Sequence, residues 1–278
     1  MAVKCLKRQK RIAVINDFSG FGRCSLTVSI PIISAMRIQC CAVPTAILSN
    51  HTGYDDYFFD DYTDKMQAYY MKWEKLGLKF DGIYTGFLGS EKQAKIVEDF
   101  IERFSDRDTV VTVDPVMGDN GKTYATIDSR LCREIKNLIP VSDIITPNLT
   151  EACILTDTEY HEDDYDIGEI KEIALRLRCL GARNIVITGI RKNDDICNFI
   201  LTDDKCKLLE YPVTGGSHAG TGDVFASIIS ADAVNKVDFE ESVKKSAEFV
   251  SRCVELSDKM QIPMQDGVCF EEILDLLM

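Results

Sequence analysis

The sequence predicts an α/β fold, a mostly parallel central sheet flanked by helices, and three observations lead there. Short runs rich in Val, Ile and Thr alternate along the chain with helix-length amphipathic segments. Several of these runs end at a polar or Gly/Pro turn. No repeat, low-complexity tract or Pro/Gly/Ser linker interrupts the 278 residues, so one domain over 1–278 is expected. Strand then helix, repeated, is the pattern of a parallel sheet covered on both faces.

Taken in order, "RIAVIND" (11–17), "IQCCAVPTAIL" (38–48), "FDGIYTG" (80–86), "TVVTVDPV" (109–116), "DIITPN" (143–148) and "NIVITGI" (184–190) read as buried strands. Between them, residues 90–104, 129–138 and 167–180 read as helices. "SLTVSIPIISAM" opens as a helix that Pro31 should kink or restart, because proline removes an amide donor. "ICNFILTDDKCKLLEYP" differs: two apolar runs flank "TDDK", which reads as a hairpin. Residues 220–235 and 239–257 close the chain as two helices.

Composition removes several function classes. A net charge of −13 argues against a general nucleic-acid binder, which needs clustered Lys and Arg. It leaves room for an anionic nucleotide held by backbone amides and a metal. No stretch approaches the ~18 apolar residues of a membrane span, and the apolar run "IAVI" is too short for a secretory signal. The 11 cysteines include no CxxC pair, and with three histidines they show no zinc-type spacing. Scattered thiols suit a reducing compartment, so a cytoplasmic location is expected.

Two familiar phosphate motifs nearly match and fail. "SGFGRCS" has Gly20 and Gly22 of a dinucleotide fingerprint, but Ser25 holds the third glycine position, and the second strand ends in "AILSN" rather than a ribose-binding acid. "VMGDNGKT" ends like a Walker A loop, but Val116 stands where its first glycine belongs, and a plain Gly/Asp loop is the expectation.

Parallel sheets bind ligands beyond the carboxyl ends of their strands, and those ends here form a polar rim. At "HAGTGDVFAS", Gly220 and Gly222 let backbone amides approach a phosphate, and a helix starting there would favour anions. Thr221 adds a hydroxyl. Asp223 would sit in the first turn, able to take a proton from an acceptor hydroxyl, although a first-turn Asp is common without any such role. Asp114 ends a strand and suits Mg2+, or simply initiates a turn with Pro115. Asn148 and Glu151 fit a capping box, and equally a place beside phosphate and Mg2+. Together, acids at 114 and 151 and a Gly-rich helix start with Asp223 make a phosphoryl-transfer set without a Walker A loop.

With those residues in place, "AGTGDVF", "VDPVMGD", "ITPNLTEA" and "SNHTGY" resemble, in order over nearly the whole chain, the vitamin-kinase branch of the ribokinase-like superfamily, and pyridoxal kinases in particular. The resemblance implies a three-layer ribokinase-like fold and transfer of the ATP phosphoryl group to the 5′-hydroxymethyl of pyridoxal, pyridoxine or pyridoxamine. By position, Asp223 would be the general base and Gly220, Thr221 and Gly222 the anion hole. Asp114 and Glu151 would organise Mg2+. Asp119, Asn148 and Thr188 would approach ATP. Asp17, Ser19, Thr52 and Phe87 would contact the vitamin. The resemblance further implies K+ near Asp114 and Thr146, and a homodimer.

Sugar kinases of that superfamily insert a β-lid after the first strand, whereas "IND" here passes straight to "FSGFGR". Asp17 stands where many pyridoxal kinases have Ser, and "NDFSGFG" is closer to hydroxymethylpyrimidine kinases of thiamin synthesis. Phe87 replaces a stacking Tyr. Hydroxymethylpyrimidine therefore stays open as the substrate, as does a silent ligand-binding protein on the same fold. His51 reads as a solvated loop histidine and His218 as a neighbour of the anion hole. The acidic run at 161–166 reads as a solvated loop, and the aromatics of 54–70 as packing.

Overall fold

The computed structural model describes residues 8–161 and 165–278, and the acidic run at 161–166 therefore lies partly outside the described residues. The chain begins with β1 (Arg11–Phe21), α1 (Ser25–Ala35), β2 (Gln39–Asn50), β3 (Phe59–Asp61) and α2 (Thr63–Lys75). It continues through β4 (Gly82–Thr85), α3 (Glu91–Phe104), β5 (Val110–Val113), β6 (Gly118–Asp119), β7 (Lys122–Thr123) and α4 (Ser129–Lys136). Then come β8 (Ile144–Ile145), α5 (Leu149–Thr156), α6 (Ile167–Cys179), β9 (Asn184–Lys192), β10 (Asp195–Leu201), β11 (Cys206–Pro212), α7 (Thr221–Asn235) and α8 (Phe239–Lys259).

Nine strands form one sheet in the order β11-β10-β9-β8-β5-β4-β1-β2-β3. The six from β9 to β2 pair in parallel, and β10, β11 and β3 are antiparallel additions. Their side chains pack on both faces. One core draws on α3, α4, α5 and α6, and a second on α1, α7 and α8. That is the expected three-layer α/β fold.

The local chemistry explains most boundaries. Ser90, Asp128, Asp166 and Asp238 cap helices α3, α4, α6 and α8 with side-chain oxygens on first-turn amides. Helix α1 runs unbroken through Pro31, with Ile32 and Ile33 fully buried behind it, so apolar packing carries it across the missing amide.

Three segments depart from the sequence expectation. β1 does not stop at Asp17: the ladder slips between Asn16 and Phe18, with an extra residue in β2, and the strand resumes to Phe21. "VMGDNGKT" is no loose loop but a small hairpin, β6-β7, turned at Asn120 (φ +49°) and Gly121 (φ +74°), the geometry an Asn-Gly turn favours. Helix α2 takes up much of the aromatic stretch. Its Tyr70 is buried edge-on against Phe100 at 5.3 Å and 88°, as packing requires.

Phe100 also meets Phe104 at 4.5 Å and lies 1% exposed at the centre of this cluster. Phe100→Ala should therefore lower unfolding free energy by about 3–5 kcal/mol, measured by urea denaturation.

Candidate active site

Asp223 is placed by a close approach of two helix starts. Gly220 precedes α7 with φ +78°, and a Cβ there would lie 1.9 Å from the Arg23 carbonyl oxygen, so only glycine fits. Among the described residues no side chain caps α7. The amides of Thr221, Gly222 and Asp223 are thus left for an anion, with the helix dipole behind them. A Cβ on Gly222 would meet nothing within 4 Å, because that side opens into a cavity.

Around the Asp223 carboxylate, the Asn16 amide donates to Oδ1 at 3.1 Å and the Ser25 backbone N–H donates as well. Ser25 adopts φ +54°, a left-handed conformation that costs about 1–3 kcal/mol and aims that N–H. Enclosure at the base of the cavity is the main reason the Asp223 carboxyl is pushed up to about 6, with the Asp17 charge adding to it.

Asn16 is the functional residue that motif reasoning passed over. Its Oδ1 accepts from the Phe87 and Asp17 backbone amides at 2.8 and 3.0 Å, while its Nδ2 holds Asp223. Gly86 makes room for it, since a Cβ there would lie 2.4 Å from Nδ2. The available signal was a fully buried Asn ending an apolar strand.

On the neighbouring strands, Thr146 donates its hydroxyl to Asp114 Oδ1 at 2.8 Å. Glu151 Oε1 accepts from Met117 N at 3.1 Å and Oε2 from Asn148 N at 2.8 Å. Asn148 Oδ1 accepts from Glu151 N at 2.9 Å, completing the capping box, and its Nδ2 donates to the Gly118 carbonyl at 2.7 Å. Burial raises both the Asp114 and Glu151 carboxyls, and neighbouring acids raise them further: Asp223 acts on Asp114, and Asp114 on Glu151. Among the described residues no three His, Cys, Asp or Glu form a complete metal-ligand group. Two buried carboxylates suit an ion such as Mg2+, which keeps several waters and takes its remaining ligands from phosphates.

These groups share one cavity of about 530 Å3, a size ordinary for small-molecule sites. Its lining includes Gly220, Thr221, Gly222, Asp223, Asp114, Asp119, Asn148, Glu151, Thr188 and Phe87. Asp17, Ser19 and Thr52 are not brought to it. At the β1 irregularity the Asp17 carboxylate turns under the site, where Ser19 donates to Oδ2 at 2.8 Å and Ser25 to Oδ1 at 2.5 Å. Thr52 lies exposed in the turn between β2 and β3. Beside it, His51 is tied to the Gln265 carbonyl at 2.7 Å and the Gly53 amide at 3.1 Å, rather than solvated. His218 is pinned to Asp258 at 2.8 Å, and Gly216 N donates to the same carboxylate at 3.0 Å. That pair ties the loop before α7 to the end of α8.

The phosphomethylpyrimidine kinase family model matches residues 30–269. A Bacteroides thetaiotaomicron VPI-5482 protein, provisionally named a phosphomethylpyrimidine kinase, is 35% identical with a TM-score of 0.94, covering 98% of this chain and 95% of its own. A second crystal form under the same name, 35% identical with a TM-score of 0.93 and covering 97% and 96% of the two chains, contains pyridoxal. The pyridoxine/pyridoxal/pyridoxamine kinase of Bordetella avium (strain 197N) is 26% identical over 88% of this chain and 85% of its own length.

Gly220→Ala should move the start of α7, because the added methyl has no room beside the Arg23 carbonyl. Thermal unfolding should fall by the equivalent of about 1–3 kcal/mol, and calorimetric binding of tripolyphosphate should weaken at least ~10-fold. A variant with unchanged phosphate binding would remove the α7 start from the anion site.

Proposed function

The chain belongs to the phosphomethylpyrimidine kinase family, and we propose that it is an ATP-dependent kinase that phosphorylates the 5′-hydroxymethyl group of pyridoxal, pyridoxine or pyridoxamine. The observation that carries this reading is the Asp223 carboxylate, fixed by Asn16 beside uncapped amides at the start of α7. The pyridoxal held by the 35%-identical Bacteroides protein supports the vitamin as acceptor.

The residues divide the work as follows. The acceptor hydroxyl lies against Asp223, whose carboxylate takes its proton as the oxygen attacks the γ-phosphorus of ATP and the bond to the bridging oxygen of the departing ADP breaks. The amides of Gly222 and Asp223, with the Thr221 hydroxyl, hold the transferring phosphoryl oxygens, where charge accumulates. Asp114 and Glu151 would hold Mg2+, which would supply positive charge to the phosphates, and the raised carboxyls of both residues would be relieved by a cation. Phe87 presents its face to the acceptor ring at the near end of the cavity. Asn148, Thr188 and Asp119 line the nucleotide path. K+ beside Asp114 and Thr146 completes the charge balance of this reading.

Assembly and location complete the proposal. Residues 1–278 form one kinase domain that works as a cytoplasmic homodimer. Exposed apolar side chains at the β1-β2-β3 end, including Phe18, Ile47 and Phe58, support a second copy there. No described helix is long and apolar enough to cross a membrane, and the ten described cysteines are all free thiols, which suits a reducing compartment.

The second reading, hydroxymethylpyrimidine as acceptor, rests on the family description and on the name of the Bacteroides relative. The Asp17 carboxylate already accepts from Ser19 and Ser25, which weakens the case for its pairing with an aminopyrimidine. An ATP-consumption screen over pyridoxal, pyridoxine, pyridoxamine and hydroxymethylpyrimidine should give the highest kcat/KM on one of the first three. Preference for hydroxymethylpyrimidine would reverse the assignment.

Asp223→Asn should lower kcat by roughly 10²–10⁴-fold while ADP affinity measured by calorimetry stays within about twofold. Near-normal turnover would remove the base role. Because a base works deprotonated, kcat/KM should rise with pH through about 6 and level off above it. Asp17→Asn should move that limb to lower pH, since the Asp17 charge raises the Asp223 carboxyl.

A further inference from the structure

One polar side chain breaks an otherwise apolar face at the far end of the cavity. Alternate residues of a strand share a face, so Ile196, Asn198 and Ile200 of β10 all look toward α7 and α8. Ile200 belongs to the core with Val186, Leu209 and Phe225, whereas Ile196 and Asn198 line the cavity. Asn198 therefore stands where packed core ends and the cavity begins. It is 4% exposed, and its side-chain amide makes no hydrogen bond to any described residue. The residue is almost wholly enclosed and lines the cavity, on a face where an aliphatic residue would suit better.

The facing strand is opened at the same point. Cys197 pairs with Ile190 and Phe199 with Ile187, so Thr188 and Gly189 of β9 together oppose Asn198 alone. Gly189 adopts φ +68°, and nothing lies within 4 Å of the position its Cβ would occupy. This is a β-bulge with glycine in the left-handed conformation, which interrupts the ladder and frees space beside the amide. Around that space Tyr211, Val213, Phe225, Val250 and Val254 form an apolar cleft.

The spacing across the sheet identifies what reaches it. In the order β5-β8-β9-β10, Asn198 lies three strands from Asp114, roughly 14 Å at about 4.8 Å per strand. A nucleotide whose phosphates sit at Asp114 and the α7 start spans that distance with its base. An apolar cleft with one carboxamide suits an aromatic base that offers a donor next to an acceptor.

We infer that Asn198 reads the nucleobase, its carboxamide pairing with the exocyclic amino group and adjacent ring nitrogen of an adenine held in this cleft. The inference rests on the kinase reading for the identity of the ligand, but it can be tested by binding alone.

Calorimetry on the full chain should compare ADP, purine riboside 5′-diphosphate (which lacks only the amino group) and tripolyphosphate. The unsubstituted protein should bind ADP roughly 5- to 10-fold more tightly than the purine riboside analogue. Asn198→Leu, which continues the apolar face between Ile196 and Ile200, should bind the two within about twofold and leave tripolyphosphate affinity unchanged. Asn198→Ala should do the same without filling the cleft, and thermal unfolding of both variants checks that they fold. An unaltered ADP preference in either folded variant, or none in the unsubstituted protein, overturns the inference. Loss of preference in the variants, with no ATP consumption on any vitamin, would keep the Asn198 role and overturn the kinase reading. Turnover with a preference that survives both substitutions would do the reverse.

Discussion

The close approach of Gly220 to the Arg23 carbonyl, tight enough to exclude a single methyl group, fixes where α7 begins relative to α1. Everything at the reacting end follows from that contact. It sets the α7 amides at the cavity floor and brings Asp223 within reach of Ser25 at the start of α1 and of Asn16 on β1. Asn16 in turn needs Gly86 to be a glycine and holds the backbone of Phe87, so Asp223 and Phe87 are positioned by one amide. A helix start without a side-chain cap would ordinarily be a weakness. Here the missing cap leaves donors for the ligand.

Acids at the carboxyl edge of the sheet make the second constraint. Burial raises Asp114, Glu151 and Asp223, the charge of Asp223 raises Asp114 further, that of Asp114 raises Glu151 and that of Asp17 raises Asp223, and Thr146, Asn16 and backbone amides offset part of that cost. A site of this kind is short of positive charge, a deficit that a cation would relieve. Asp223 gains from the same environment, because a carboxyl near 6 accepts a proton more readily than an exposed one yet remains mostly ionised at neutral pH. The Asp258 carboxylate, bound to His218 and Gly216, keeps the loop before α7 in place from the opposite side.

The cavity runs along the sheet edge from β1 to β11, and the order of strands orders its chemistry. Asn16 and Phe87 mark one end, Asp114 and Glu151 the middle, and Asn198 with Tyr211 the far end. Asp17 illustrates how a single ladder irregularity changes a role. In a regular strand it would follow Asn16 to the opposite face of the sheet. Beside the slip its carboxylate accepts from Ser25 at the start of α1, and its charge raises the Asp223 carboxyl.

Much was determined by the sequence alone. Strand and helix identities followed from hydrophobic period, and the sites of Asp114, Glu151, Asn148, Thr188 and Asp223 followed from their places at strand and helix ends, because those signals are local in the chain. The hairpin at Asn120–Gly121, helix α2 and the continuation of β1 past Asp17 were decided by contacts with distant segments, such as Tyr160 against Gly121 and Phe100 against Tyr70. Only the tertiary structure could decide that Asn16 holds Asp223, that Asp17, Ser19 and Thr52 stand away from the cavity, and that Asn198 faces it. Which side chains converge on one space depends on strand order and ladder register, and a linear pattern carries neither.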